Sequence, residues 1–231
     1  MAQKKNIRSF RDAWLADFFV HSTPHRKIPA EIHTTLSRKL DIINAATSHR
    51  DLRSPPGNRY EELSGKLQEY SSIRVNKQYR LIFKWVNGKA EELFFRPTQL
   101  LKHSCRIDEK GKTMKQATRK PTTPGDILLY EYLEPLDLKI NELAELLHVH
   151  RNSVSALINN NRKLTTEMAF RLAKVFDTTV DFWLNLQAAV DLWEVENNMR
   201  TQEELGRMKQ WLNIWHAVKS VQKRSRRIIS L

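Results

Sequence analysis

The chain has one cysteine, Cys105, in 231 residues. A single thiol excludes an internal disulfide and a cysteine-rich zinc site. No apolar run approaches the ~20 residues of a membrane span, and residues 1–11 lack the apolar core of a signal peptide. There is no Gly-rich phosphate loop, no metal-ligand cluster and no internal repeat. These absences predict a cytoplasmic protein that needs neither cofactor nor metal and has no membrane partner.

Acidic residues are the other shortage. Against 39 Lys+Arg stand 26 Asp+Glu, a net charge of +13. That surplus points to nucleic acid first, although membrane surfaces attract cations too. Residues 1–113 are net +10, residues 114–206 net −4 and residues 207–231 net +7. The basic first half suits a phosphate-rich substrate such as RNA and attracts the acidic middle. With 40% hydrophobic residues, the chain has room for two small cores.

What is present centres on residues 140–176. From Ile140, apolar Leu143, Ala144, Leu146 and Leu147 share a helical face. After a turn through His148 and Val149, a second set follows at Val154, Leu157 and Ile158. Two short helices with apolar stripes and a tight joint pack together, which leaves the outer face of the second free. That face carries Arg151, Asn152, Ser153, Ser155 and Asn159, suited to base edges and phosphates. Asn159, Asn160 and Asn161 end the helix, and Arg162 and Lys163 lie where a docked helix-turn-helix meets the sugar-phosphate backbone. Thr165 is the expected N-cap of a third helix, whose stripe of Met168, Ala169, Leu172, Ala173, Val175 and Phe176 closes the core. The plainer reading of such a polar face is that it is merely solvated. His148 and His150 sit at the turn and read as structural or phosphate-facing.

The stretch HRNSVSALINNNRKLTTEMAFRLAKVFDTTVDFWLNLQAAVDL resembles the HigA-type antitoxins, Xre-family repressors marked by an RNxVSxLIN recognition helix and an FWLxLQ helix. The resemblance implies a dimeric DNA-binding protein that represses its own operon and binds a partner toxin, HigB.

The first half reads as α+β: two helices on a small antiparallel sheet, followed by an all-α helix-turn-helix domain. Phe10, Trp14 and Phe18 recur every four residues, then Ile32, Leu36, Leu40 and Ile43 do so again. Strand-like runs follow at Tyr70 to Val75, Tyr79 to Val86 and Lys89 to Phe95, the last two joined by the hairpin signal Asn87-Gly88. The segment DLRSPPGNRYEELSGKLQEYSSIRVNKQYRLIFKW resembles the HigB branch of the RelE/ParE toxins, ribosome-dependent mRNA endonucleases. The resemblance implies metal-free RNA cleavage, with cations around the scissile phosphate stabilising charge in the transition state. It carries over Arg59, Arg74 and Arg80, with Lys66 as a weaker candidate; the alternative is that all four are ordinary surface cations. Arg74 alternates with Ile73 and Val75 and is predicted to point away from the face they bury.

Two features depart from the pattern. Ser64 stands before Gly65 where many HigB toxins have Lys. In place of the usual ending with aspartate, histidine and often tyrosine, a source of general acid or base, the chain continues FFRPTQLLKHSCRIDEKGKT. Codons can be written for Phe94 to Leu101 such that deletion of one nucleotide gives Phe-Leu-Asp-Pro-His-Asn-Tyr and a stop. A frameshift would then have fused two genes, with Met114 the antitoxin's original start. From Met208 the tail is free of acids, and a shifted frame can be written that encodes an acidic amphipathic helix continuing Gln202-Glu203-Glu204-Leu205. The other reading is an authentic basic tail for nucleic acid.

The expected organisation is a toxin-like domain at 1–105, a Lys/Thr/Pro-rich flexible linker at 106–123, a helix-turn-helix domain at 124–206 and a basic tail, possibly frameshifted, at 207–231. A helix over 125–133 opens the second domain, and one from Thr179 to Glu196 closes it. The broad apolar face of the closing helix, Phe182, Trp183, Leu186, Ala189, Val190 and Trp193, serves the core alone or core plus dimer. The expectation is a fused toxin-antitoxin protein whose partners are operator DNA, its own two halves in cis and a second copy through the antitoxin domain. An active endonuclease, with ribosome and mRNA as partners, is the competing enzyme class. A repressor with an N-terminal sensory domain is the third.

Overall fold

The fold comes from a computed structural model that describes residues 6–99, 112–113, 119–211 and 215. Cys105, Met114, most of the linker and most of the tail beyond Trp211 lie outside them.

The N-terminal half is a sheet with order β2-β3-β4-β5-β1-β6. Its strands are β1 (Ser9–Phe10), β2 (Glu61–Glu62), β3 (Tyr70–Arg74), β4 (Tyr79–Val86), β5 (Lys89–Pro97) and β6 (Lys112–Thr113). The three predicted strands are the antiparallel centre. Asn87 and Gly88, at φ 50° and 75°, make the tight turn between β4 and β5, as a two-residue hairpin requires. The sheet is not purely antiparallel, because β1 pairs parallel with β5 through Phe10 and Leu93. Phe10 therefore belongs to a strand, not to the helix its spacing with Trp14 suggested. Asp12 accepts from the Phe95 amide at 3.1 Å and from Arg96 at 2.9 Å, which ties the chain to β5 before helix α1 (Ala13–His21) begins.

Helix α2 (His33–Ala45) lays Leu36, Leu40 and Ile43, all fully buried, onto the sheet. Helix α3 (His49–Arg53) starts on a capping box formed by Ser48 and Asp51. In the C-terminal half, α4 (Pro124–Leu128) runs through a π-helical turn, Leu129–Leu133, into α5 (Glu134–Leu136). Then come α6 (Ile140–Leu146), α7 (Arg151–Ile158), α8 (Thr166–Val175) and α9 (Val180–Asn197).

The expected pair of small cores is one core. One large cluster of buried side chains runs through both halves, from Ile7, just before β1, to Leu186 in α9, and a small second one, Tyr70, Ile82 and Phe94, lies on the other face of the sheet; residues 1–190 form one compact unit. The end of the predicted linker is anchored: Arg119 and Thr122 both bond Asp41 of α2, Thr122 through its amide at 2.9 Å and its hydroxyl at 2.6 Å. The second unit is 191–231. Its residues 199–211 are helical and leave Met199, Met208 and Trp211 exposed. No helix among the described residues is long and apolar enough to cross a membrane.

Candidate nucleic-acid interface

Helix α7 is built to be held from behind. Val154, Leu157 and Ile158 are buried, and Gly125 of α4 approaches so closely that a Cβ there would lie 2.2 Å from the Leu157 carbonyl oxygen. His150 caps its start, Nδ1 accepting from the Asn152 amide at 3.2 Å. Its end is closed by the amides of Asn161 and Arg162, which both donate to the Ala156 carbonyl. The turn before it is fixed from α8: Arg171 donates to the Leu147 carbonyl at 2.7 Å, and Val149 donates to Ala144 at 3.0 Å. Thr165 caps α8 as predicted, accepting from Met168 at 3.2 Å. One apolar residue falls elsewhere: Leu146, expected on the packed face, is 54% exposed, because α6 ends there and Leu147 turns inward instead.

On the outer face of α7, Arg151 and Asn152 are exposed, Ser155 is half-buried, and exposed Asn159 donates to Ser155 Oγ at 3.2 Å. Asn159 is the residue that caps the helix rather than one of its turns. Ser153 does not share this face. It is half-buried on the flank toward α8 and lines a narrow cleft with Arg162, Lys163 and Thr165. Arg162 and Lys163 are both exposed just past the helix end.

The second cationic surface is the sheet face turned away from the helices. Arg74, Arg80 and Arg96 stand directly across from one another on β3, β4 and β5, so their side chains share that face. Arg80, which the apolar flanks of its strand left hard to orient, is 5% exposed. It donates to Ser72 Oγ at 2.9 Å and to the Arg59 carbonyl at 2.6 Å, and it lies 3.3 Å from Glu61. Burial pulls its pKa down and Glu61 pulls the other way. Arg80 thus holds in place the backbone of Arg59, itself exposed and in the left-handed region at φ 42°. Arg74 is half-buried and donates to the Asn76 carbonyl at 3.0 Å. Lys66 is exposed on the Gly65–Leu67 turn, outside this ladder.

Sequence reasoning missed the neighbours of that ladder. Glu92, at φ 51°, sits at a bulge where the β4–β5 register shifts, and the bulge aims its carboxylate at Tyr70, Arg11 and Lys84, at 2.6, 3.0 and 3.0 Å. Burial alone would raise the Glu92 pKa, but hydrogen bonds from Tyr70, Lys84 and Arg11 reverse this and hold it at about 2. Tyr70 is pushed up by burial and by its bond to Glu92. Arg11 also lies 4.0 Å above the Phe94 ring centroid. Counted back from Phe94 and Arg96, alternation puts Glu92 on the ladder face, and the bulge is where Ala90, buried with Leu93 and Phe95 in the main core, falls out of step. His49, whose pKa burial and Arg53 lower, bonds Tyr60 and packs near Trp85, apart from the arginine ladder. No group of three or more His, Cys, Asp or Glu among the described residues is arranged to hold a metal ion.

Residues 8–98 match the family of RelE-like toxins of the type II toxin-antitoxin system HigB, and residues 129–183 match a helix-turn-helix family. The Vibrio cholerae toxin HigB-1 is 52% identical over 88 residues, 38% of this chain and 93% of its own length. The Vibrio cholerae antitoxin HigA-1 is 46% identical over 91 residues, 39% of this chain and 84% of its own. The chain belongs to the HigB and HigA toxin-antitoxin families, one in each half.

An uncharacterized HTH-type transcriptional regulator, YbaQ of Escherichia coli (strain K12), is 98% identical over 96 residues, 42% of this chain and 85% of its own length. In the toxin half β5 carries Phe94, Phe95, Arg96 and Pro97 across the sheet, and the Thr98 amide donates to the Gln78 carbonyl at 2.7 Å. In the antitoxin half, the helix-turn-helix match over residues 129–183 contains α6, α7 and α8.

Proposed function

We propose that this chain is a transcriptional repressor of its own operon that carries its toxin as a covalently attached, neutralised domain. The observation that carries the reading is α7: one side locked into the core by Val154, Leu157 and Ile158, the other offering Arg151, Asn152, Ser155 and Asn159 to solvent. A helix so held can enter a major groove with its orientation already set. Arg151, Asn152 and Ser155 read base edges, and Asn159 steadies Ser155. Arg162, Lys163 and Ser153 engage the phosphate backbone and fix the register. The chain acts as a dimer through the C-terminal end of α9 and the residues just beyond it, where Trp193 is half-buried and Val195 and Met199 are exposed, so that two recognition helices meet two half-sites.

The toxin half is impaired as a nuclease. Of the cations carried over, Arg80 is buried and held by Ser72, Glu61 and the Arg59 carbonyl, whereas Arg59 and Lys66 are exposed and Arg74 is half-buried. The carboxylates beside the ladder, Glu61 at Arg80 and Asp12 at Arg96, are engaged in ion pairs, and Glu92, fully ionised well below neutral pH, cannot donate a proton there. Linkage keeps toxin and antitoxin at equal stoichiometry and high local concentration. The salt dependence of binding to the chain's own upstream DNA tests the assignment. Arg162→Ala should lower the slope of log K against log salt by about 1 while leaving sequence preference intact. An unchanged slope removes Arg162 from the interface.

The endonuclease reading draws on Arg59, Arg74 and Lys66, which are exposed or half-buried on the toxin half. The nucleotide sequence across codons 90–120 and 200–231 tests the origin proposed for the missing ending: alternative frames encoding Asp-Pro-His-Asn-Tyr and an acidic helix support a frameshifted fusion, and frames lacking them remove it.

A further inference from the structure

Each half of the molecule buries one carboxylate among donors of the other. Glu131, in the middle of the π-helical turn of the antitoxin half, is 3% exposed. It accepts from Arg38 Nε at 3.0 Å and from Lys39 Nζ, both on α2 of the toxin half. Lys39 is 2% exposed and, among the described residues, reaches one further acceptor, Asn58 Oδ1 at 2.7 Å. Burial drives the Lys39 pKa down and Glu131 pushes it back up, so the cation depends on its partner across the interface.

The toxin half returns the contact. Asp51, fully buried, belongs to the capping box of α3, where it takes the amides of Thr47 and Ser48 at 2.8 and 3.0 Å. The same carboxylate accepts from the Thr179 amide at 2.6 Å and from Thr179 Oγ1 at 2.9 Å. Thr179 in turn caps α9, accepting from the Phe182 amide at 3.2 Å. One toxin carboxylate therefore stabilises the starts of two helices, one in each half. The π-turn widens the helix at the place where Glu131 must reach, and such turns recur at functional positions.

We infer that this reciprocal exchange is a partner-discriminating lock. The antitoxin half accepts a toxin surface that presents adjacent cations at Arg38 and Lys39 and a carboxylate at Asp51, and it rejects a toxin surface lacking them. Discrimination follows from the penalty for mismatch: a buried charge whose partner is missing is costly, whereas replacing both partners by apolar groups is tolerated. The inference rests on reading the halves as toxin and antitoxin held together in cis.

The test uses the full chain, folded and then cleaved at a protease site introduced within residues 106–118. Retention of the two pieces on each other is read by co-elution on dilution. Cleaved wild type should remain associated. Glu131→Leu and Lys39→Met should each weaken retention about 100-fold or more, the loss expected on breaking a buried pair, while the double variant Lys39→Met with Glu131→Leu should be retained far better than the product of the two losses, Arg38 keeping Thr35 Oγ1 and the Tyr130 ring. Asp51→Asn, probing the second half of the exchange, should weaken retention with the α2 pair intact. Losses that simply multiply in the double variant, or a Glu131→Leu chain that co-elutes like wild type, would overturn the lock. If a single variant does not fold, normal folding of the double variant carries the same support, and its failure to fold counts against. A gel shift of the uncut wild type separates the two ideas: loss of DNA binding with co-elution intact sinks the repressor reading and leaves the lock standing.

Discussion

Arg151, the first base-reading residue of the proposed interface, is exposed at the first position of α7. Gly125 serves the same helix from behind. A methyl group there would lie 2.2 Å from the Leu157 carbonyl oxygen, and backbone cannot yield as a flexible side chain does. Gly125→Ala should destabilise the fold by about 1–3 kcal/mol, the range for overpacked sites, and weaken operator binding as α7 shifts; thermal unfolding and a gel shift on the same samples check both. Glu92 offers a pH test. Its pKa is depressed from the ordinary 4.5 to about 2, so its contribution is complete above about pH 4.5 and disappears as pH falls through about 2. Urea midpoints of wild type and Glu92→Gln should differ at pH 7 and converge toward pH 2. A gap that is constant with pH would mean the carboxylate's charge is not what stabilises the sheet face.

At the scale of elements, much was legible in the sequence, for reasons that identify what was not. The α6–α7–α8 unit follows from period and caps: Thr165 and the stripe from Ala169 to Ala173 act as their spacing says. The β4–β5 hairpin follows from Asn87-Gly88. The missed features depend on contacts between distant residues. Phe10 fits a helical period, but its pairing with Leu93 and the capture of Asp12 by β5 make it a strand. Ser153 reads as part of the polar face, yet in three dimensions it turns toward α8. The orientation of Arg80 was ambiguous because its strand is apolar on both sides, and a buried arginine satisfied by Ser72 and a backbone carbonyl has no local sequence signature. The Glu92 bulge shifts register within one strand, which alternation alone cannot report.

At the scale of the whole molecule, two families identified from separate stretches share one continuous core. Neither composition nor periodicity indicates this, since charge complementarity between a basic and an acidic half predicts attraction without predicting a common interior. The buried ions at the junction, Lys39, Asp51 and Glu131, are too few and too scattered along the chain to be read in advance. The architecture predicts that the toxin half does not arrest growth. If the proposed loss of an acid or base disables the toxin half, residues 1–105 expressed alone and recovered as folded, soluble protein should leave cell growth unchanged. Arrest would mean that Arg59, Arg74 and Lys66 suffice for cleavage, and would return the endonuclease reading.

The central claim, that the chain binds its own control DNA through α7, is tested most directly by a gel shift of the purified full chain on its upstream DNA, with Arg151→Ala alongside. A shift by wild type that Arg151→Ala weakens roughly tenfold or more, in line with ~1–3 kcal/mol for a base-reading contact, is the predicted result. No shift by wild type, or equal shifts by both proteins, would contradict it.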